Sequence, residues 1–262
     1  MFTKNVVKKL AVSCLLLTFN AASAEFEFSG KLGLEERYFV DGGQYSEQQY
    51  HSQTSLFAVP EFYWGWNNGS DTLVFKPFYR IDSQDGERTH GDVRELYYIH
   101  ASDDWELRAG IRKEFWGVTE FQHLVDVINQ TDSVEDFDGE DKIGQLMLNL
   151  SLVKDWGIID LYLLPGFRQR TFPGGNGRLR GPFQIDKHNI SYESDAKKQH
   201  LDLAMRWTHS LGDFDIGSYW FHGTNREPDF IPNQDGETLQ HNLVSQRVLH
   251  LLTQLRYPYV TL

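Results

Sequence analysis

The chain has 262 residues, a formal net charge of −12 at pH 7 and a single cysteine. The acidic balance argues against nucleic acid as a partner, because nucleic-acid-binding domains are basic. One cysteine cannot form an internal disulfide, so the fold must be held by its own hydrogen bonds and packing. Aromatic residues make up 14% of the chain, which suits either a girdle at a membrane interface or a sugar-binding surface.

The first 24 residues have the three parts of a secretory signal. Lys4, Lys8 and Lys9 give a positive start, a short apolar run follows from residue 10 to residue 19, and Ala22-Ser23-Ala24 has the small–x–small form of a cleavage site. The apolar run is too short to span a membrane as a helix. We therefore predict export, with cleavage near Ala24 that removes the only cysteine.

Alternation of apolar and polar residues with a period of two then recurs along the chain and predicts antiparallel strands. The nine predicted strands cover residues 25–37, 56–66, 72–82, 93–101, 105–115, 146–153, 158–168, 201–209 and 214–222. Residues 93–101 are rich in β-forming residues, but their two faces are ambiguous. Pro60 and Pro77 weaken two of them, since proline cannot donate to a ladder. No linker-like stretch divides the strands, so residues 25–228 are predicted to form one domain.

The connections between these strands alternate between short and long. The short ones cover residues 67–71, 102–104, 154–157 and 210–213, and the long ones cover 39–55, 83–92, 116–145 and 169–200. If the chain enters from the periplasm, every short turn falls on the periplasmic side and every long loop outside. This asymmetry is typical of outer-membrane barrels.

Ten charged residues are predicted to share the polar side of these strands. They are Lys76, Arg80, Glu106, Arg108, Arg112, Glu114, Asp160, Arg168, Asp202 and Arg206. A dry core could not hold so many charges unless nearly all were paired, whereas a wet lumen could. The alternation by itself fits the solvated face of an ordinary antiparallel sheet equally well. The signal and the loop pattern favour an all-β, antiparallel transmembrane β-barrel, complete or incomplete, with these residues lining its pore and setting its charge preference.

Residues 105–172 carry a Trp116-Gly117 pair, an Asn129-x-x-Asp132 element and a Pro165-Gly166-Phe167-Arg168 segment. With these motifs the chain resembles a family of largely uncharacterised proteobacterial outer-membrane porin-like proteins, and residues 207–228 are similar to the same family. The resemblance implies a barrel in the bacterial outer membrane that passes small solutes. It implies no known substrate.

Residues 229–262 depart from this pattern. The alternation disappears, and the apolar residues are spaced like one face of a helix. They are Leu239, Leu243, Val244, Leu251, Leu252 and Leu255. Nine strands do not give the even number usual in bacterial barrels, and the chain ends on Leu262 rather than on an aromatic residue. We therefore predict that residues 229–262 form an atypical tail, truncated or helical, and hypothesise that the chain is a truncated or frame-altered family member.

One long loop is crowded with carboxylates between residues 132 and 141. They are Asp132, Glu135, Asp136, Asp138, Glu140 and Asp141. Oxygen-rich clusters suit calcium, but the EF-hand spacing fails here, so a solvated acidic loop is the favoured interpretation. The apolar residues Phe121, Leu124, Val125 and Ile128 precede them. Two placements stay open for this loop: folded into the lumen as a constriction near Arg112 and Glu114, or covering the mouth of the barrel.

No pattern of catalytic or metal-binding residues stands out. In Thr208-His209-Ser210 adjacency alone does not supply an orienting third group, and no histidines have metal-site spacing. The sequence therefore predicts no enzyme, no metal and no cofactor.

The favoured function is passive diffusion of small hydrophilic or amphipathic solutes through a porin-like channel, with outer-membrane lipid as a partner. A homo-oligomer is compatible with this prediction. One alternative is an exported, soluble protein that binds glycans through Trp64, Trp66, Trp116 and Trp220. Another is an outer-membrane enzyme that acts on lipid and depends on His209.

Overall fold

The computed structural model describes residues 7–12, 19–20, 26–116, 127–232, 238–243 and 245–255. The chain is all-β, and its only helical turns are three short 3-10 segments among these residues. No helix of this part of the chain has the length and apolarity to cross a membrane. The strands are β1 (Val7–Val12), β2 (Phe19–Asn20), β3 (Phe26–Phe39), β4 (Ser52–Trp66), β5 (Asp71–Asp82), β6 (His90–Ala101), β7 (Trp105–Arg112), β8 (Gln145–Lys154), β9 (Gly157–Pro165), β10 (Gln184–Tyr192), β11 (Leu201–Leu211), β12 (Phe214–Thr224), β13 (Asp229–Pro232), β14 (Thr238–Leu243) and β15 (Ser245–Leu255).

Most strands belong to one large antiparallel sheet. Its order is β1-β3-β4-β5-β6-β7-β8-β9-β11-β12-β15, with β2 also on β3. A second sheet has the order β10-β14-β13, in which β10 and β14 are parallel. Within the described residues β15 pairs with neither β1 nor β3, so closure into a barrel is not observed there.

All nine predicted strands are present as β3–β9, β11 and β12, and their antiparallel pairing is confirmed. Two of the predicted strands, 105–115 and 158–168, end later than the observed strands β7 and β9 do. After β7 the backbone leaves the sheet, because the N–H of Glu114 donates to the side chain of Asn129 at 2.7 Å. After β9 the chain turns at Gly166, where φ is +77°, a value that favours glycine.

The two prolines occupy one weak place in the sheet. Between β4 and β5 the pairing runs up to Ala58 and Tyr79 and resumes at Phe62 and Phe75, so it lapses where Pro60 and Pro77 lie. Pro77 also sits at the register shift between β5 and β6. The missing proline N–H is thus accommodated by a local gap in the ladder.

The predicted helical tail is wrong. Leu239 and Leu243 belong to β14, and β15 pairs with β12 from Phe214–Leu255 to Thr224–Ser245. Pairing supplies partners for the open edge of β12, which outweighs the helix-like spacing of the leucines. Strand β10 was also not predicted. With β15 included, ten strands follow one another in the order β3–β9, β11, β12 and β15.

The strand β1 falls within the predicted signal peptide. It pairs with β3 from Val7–Phe39 to Val12–Leu34 and so occupies one edge of that strand. Cleavage near Ala24 stays a prediction. If it occurs, it removes β1 and β2 together and leaves that edge of β3 open.

The large sheet has two unlike faces. On the outer face the alternating residues are apolar and exposed, among them Leu34, Leu56, Tyr79, Ile81, Leu96, Leu148, Leu161, Leu163, Leu203, Met205 and Trp220. On the inner face charged and polar residues are buried, among them Arg37, Arg80, Asn149, Asp160 and Asp202. This is the reverse of the usual arrangement in a water-soluble protein.

Candidate functional site

The inner face is covered by the long connection between β7 and β8, of which residues 113–116 and 127–144 are described. Asn129 ties its two ends together. The Asn129 side chain accepts from the N–H of Glu114 at 2.7 Å and donates to the carbonyls of Arg112 and Ile143 at 3.0 and 2.9 Å. Asn129 is 1% exposed, so all of these bonds are shielded from water.

Asp132, the aspartate of the Asn129-x-x-Asp132 motif, fixes the connection to the sheet. Its Oδ2 lies 2.5 Å from Nη2 of Arg94, and its Oδ1 accepts from the hydroxyl of Thr171. Burial alone would raise the pKa of Asp132. The neighbouring His90, Arg94 and Thr171 outweigh burial and hold that pKa well below its usual range.

Glu135 makes the next attachment. Its carboxylate lies 2.6 Å from Nη2 of Arg80, and its carbonyl accepts from Arg37 and Arg88 at 2.9 and 3.2 Å. The same three arginines share Glu35 on β3. Burial of this kind is tolerated only where each charge is paired and hydrogen-bonded.

The prediction of a solvated acidic loop is therefore wrong for its first half. Asp132, Glu135 and Asp136 are buried, whereas Asp138 and Glu140 are exposed. Among the described residues no group of three or more acidic, histidine or cysteine side chains is arranged to hold a metal ion. Arginines, not calcium, neutralise the buried carboxylates. Of the apolar residues that precede these carboxylates, Phe121, Leu124 and Val125 lie outside the described residues, whereas Ile128 is buried.

A cavity of about 590 Å³ remains between this connection and the inner face of β3–β6. We call it the inner cavity. It is lined by Lys31, Glu35, Arg37, Phe57, Val59, Glu61, Lys76, Phe78, Arg80, Arg88, Arg94, Glu95, Lys113, Glu135, Asp136, Asp141 and Lys142. Its volume falls within the range of ligand pockets in proteins.

Two aromatic rings support the arginines of the inner cavity. The guanidinium of Arg80 lies 4.7 Å from the ring centroid of Phe57, and that of Arg94 lies 4.4 Å from the centroid of Phe78. Stacking on a ring holds the planar guanidinium in place, and the neighbouring carboxylates then fix its direction. The arginines are thereby fixed in the cavity wall.

The other half of the inner face is filled with apolar side chains. Trp116 and Ile128, from the two described ends of the β7–β8 connection, are 1% and 0% exposed. Their cluster, which we call the apolar plug, also contains Met147, Tyr162, Leu164, Ala204, Tyr219 and Phe221. The Trp116 ring lies 5.4 and 5.5 Å from the rings of Tyr162 and Tyr219.

Ion pairs surround the apolar plug as well. Arg206 lies 2.8 Å from Asp160, and Arg112 lies 2.7 Å from Glu114. Beside β12, Asp202 accepts from Arg226 at 2.7 Å and is 0% exposed.

Of the ten residues predicted to line a pore, eight lie on the inner face of strands. Glu114 follows β7 and Arg168 follows β9, where Arg168 pairs with Asp92 at 2.7 Å. All ten are engaged in ion pairs, as the contacts of Lys76 with Glu61 and Glu95 illustrate. Only Lys76 and Arg80 of the ten line the inner cavity.

The sequence did not point to Arg88, Arg94 or Lys113. The faces of residues 93–101 were ambiguous because the register shift at Pro77 interrupts their alternation with β5. Arg88 lies in a connection, where alternation carries no signal. Lys113 fell within the predicted strand 105–115, on the side opposite its charged residues, whereas in the structure it follows the end of β7.

The glycine-rich stretch 173–181 closes one end of the inner face. Its Arg178 lies 4.6 Å from the ring centroid of Phe39 and donates to the carbonyl of Gln48 at 2.9 Å. The N–H of Gly174 donates to Asp85 at 3.1 Å. A connection that follows β9 thus contacts those that follow β3 and β5, so the sheet curls around its inner face.

The residues of the alternative functions are scattered. Trp116 is buried in the apolar plug, away from the exposed Trp66 and Trp220, so the four tryptophans do not form one sugar-binding surface. Ser210 donates to Asp215 at 2.6 Å and His209 stacks on Trp207.

No protein-family model, curated protein or solved structure matches this chain. The functional argument therefore depends on the geometry alone.

Proposed function

We propose that the chain forms a porin-like channel in the bacterial outer membrane, through which small hydrophilic or amphipathic solutes diffuse passively. The observation that carries this proposal is the reversed burial of the two faces. Leu161 and Leu163 are 40% and 37% exposed, whereas Asp160 on the same strand is 2% exposed. An exposed apolar face of this extent is stable against lipid and is a liability in water.

The distribution of tryptophan supports the same proposal. Five of the seven tryptophans lie near the short connections, namely Trp64, Trp66, Trp105, Trp156 and Trp207. Aromatic side chains concentrate at the level of the lipid headgroups, where one end of the ring is apolar and the other wet. The short connections would then mark the periplasmic interface.

Closure of the barrel is part of this proposal. Cleavage near Ala24 would remove β1 and β2, and the edge of β3 so exposed would pair with the edge of β15, which has no partner among the described strands besides β12. The product has ten strands, an even number as in bacterial barrels of this class. The connection across the inner face acts as a constriction, held by Asn129, Asp132 and Glu135.

Fractionation of expressing cells tests this proposal. We expect the protein in the outer-membrane fraction after urea washing, with faster gel migration of unheated than of boiled samples. Purified protein in liposomes should permit swelling in the neutral sugar arabinose. Recovery in the soluble fraction without detergent, or liposomes that do not swell, would contradict the proposal.

A further inference from the structure

Most cations of the inner cavity are already neutralised. Arg80 pairs with Glu35 and Glu135, Arg94 pairs with Asp132, and Lys76 lies 3.2 Å from Glu95. A solute would have to displace one of these carboxylates to bind them. They form the wall rather than the binding groups.

Two lysines of the cavity differ from these cations. Neither Lys31 nor Lys113 makes a hydrogen bond or ion pair with another residue in the described part of the chain. Lys31 lies on β3 and Lys113 directly follows β7, so they occupy opposite walls, four strand steps or about 19 Å apart along the curved sheet. Burial and the charge of Arg94 lower the pKa of Lys113 more than the carboxylates of Glu95 and Asp141 raise it.

The rest of the cavity suits a partly apolar solute. Phe57, Val59 and Phe78 provide apolar wall between the two lysines. A cavity that combines such walls with a few convergent charges binds a ligand by burying its apolar body and pairing its charged group.

We infer that the inner cavity is a binding site for small organic carboxylates, whose anionic group pairs with Lys113 or Lys31 while the apolar body contacts Phe57 and Phe78. The site rests on the proposed channel for its access route. It makes the channel selective for organic acids over neutral solutes of the same shape.

One carboxylate opposes this binding. Asp141 lines the same cavity, and burial together with the charge of Glu135 raises its pKa. Removing the charge of Asp141 should therefore favour an anionic solute.

Calorimetry with benzoate, on the full chain in detergent, tests the inference, with benzamide as a neutral ligand of the same shape. We expect benzoate to bind and benzamide not to bind. Either Lys113→Met or Lys31→Met should weaken benzoate binding about tenfold, since the one carboxylate pairs with one of the two lysines and that variant removes the charge-assisted contact. Asp141→Asn should tighten it about threefold. Lys154→Met, at a short turn outside the cavity, is the matched control and should bind as the unaltered chain does.

Equal binding of benzamide and benzoate, or benzoate binding that is unchanged in both Lys113→Met and Lys31→Met, would overturn the inference. Heat-dependent gel migration of each variant confirms that it is folded. Arabinose-driven swelling without benzoate binding would overturn the site and leave the channel intact. Benzoate binding that Lys113→Met weakens, in liposomes that do not swell, would support the site and overturn the channel.

Discussion

One connection covers both halves of the inner face, yet it does so with different chemistry on each. Toward β8–β12 it contributes Trp116 and Ile128 to the apolar plug, whose members are all buried. Toward β3–β6 it is held by Asp132 and Glu135 through arginines and leaves the inner cavity open.

In the proposed channel, this difference would narrow the pore without blocking it. Apolar side chains stabilise the fold by close packing, so the plug would exclude water and solute. Charge-assisted hydrogen bonds depend on direction, and the arginines held by carboxylates leave open space at the inner cavity. The same segment would then seal one side of the channel and line the other.

The largest effect is expected in the apolar plug. Trp116→Ala should lower the free energy of unfolding by about 4 kcal/mol, because it removes a fully buried aromatic side chain and leaves a cavity. Urea unfolding in detergent, followed by gel migration, measures the change. Trp220→Ala is the matched control, since Trp220 is 37% exposed on the outer face. A cost for Trp116→Ala no greater than that of the control would show that the plug is not packed as described.

Breaking the ion pair between Glu135 and Arg80 should lower the free energy of unfolding somewhat less than the loss of Trp116 does. Glu135→Gln should lower the free energy of unfolding by about 3 kcal/mol, because it removes one of the two carboxylates that pair with the buried Arg80 and leaves only Glu35. Glu140→Gln, in the exposed part of the same connection, is the control. Equal costs for the two variants would mean that Glu135 does not hold the connection.

Acid should weaken the attachment that Asp132 makes to Arg94 on the sheet. The pKa of Asp132 is lower in the folded chain than its ordinary value of 3.8, so this carboxylate contributes stability above that value. The contribution is lost as the pH falls through the lower, folded-state pKa. Unfolding free energies measured between about pH 6 and pH 2 should fall less steeply in Asp132→Asn than in the unaltered chain. Identical slopes would contradict the assignment.

The smallest effect is expected in the glycine-rich stretch 173–181. Arg178→Met should lower the free energy of unfolding by about 1 kcal/mol, because it removes one stacked guanidinium and its bonds to backbone carbonyls. Limited proteolysis within residues 169–200 should become faster. Lys198→Met, in the same connection, should not change the rate, and a similar acceleration there would mean that Arg178 has no special role.

The strands were predictable because their alternation is local. Each of β3–β5, β7–β9, β11 and β12 carries its own alternation of apolar and polar residues, whereas β6 was predicted from its β-rich composition. The strand β15 does not, because the spacing of Leu251, Leu252 and Leu255 fits a helix and only the edge of β12 makes the segment a strand.

The inner cavity was not predictable in the same way. The sequence marked Asp132 and Glu135 as acidic and left open whether their loop folds inward, but it did not predict that these carboxylates attach the loop to the sheet. Their partners Arg94 and Arg80 lie on other strands, and pairing across such distances along the chain has no local signature. Asn129, which ties the connection together, was noted only as part of a motif.

The central claim is that the outer face meets lipid, and cysteine labelling in vesicles tests it most directly. In a Cys14→Ala background, Leu161→Cys places a thiol on the outer face and Asp138→Cys places one in the exposed part of the β7–β8 connection. We predict that Leu161→Cys reacts with a lipid-soluble maleimide and not with a charged one, whereas Asp138→Cys reacts with both. Rapid reaction of Leu161→Cys with the charged maleimide would show that water covers the outer face and would contradict the account.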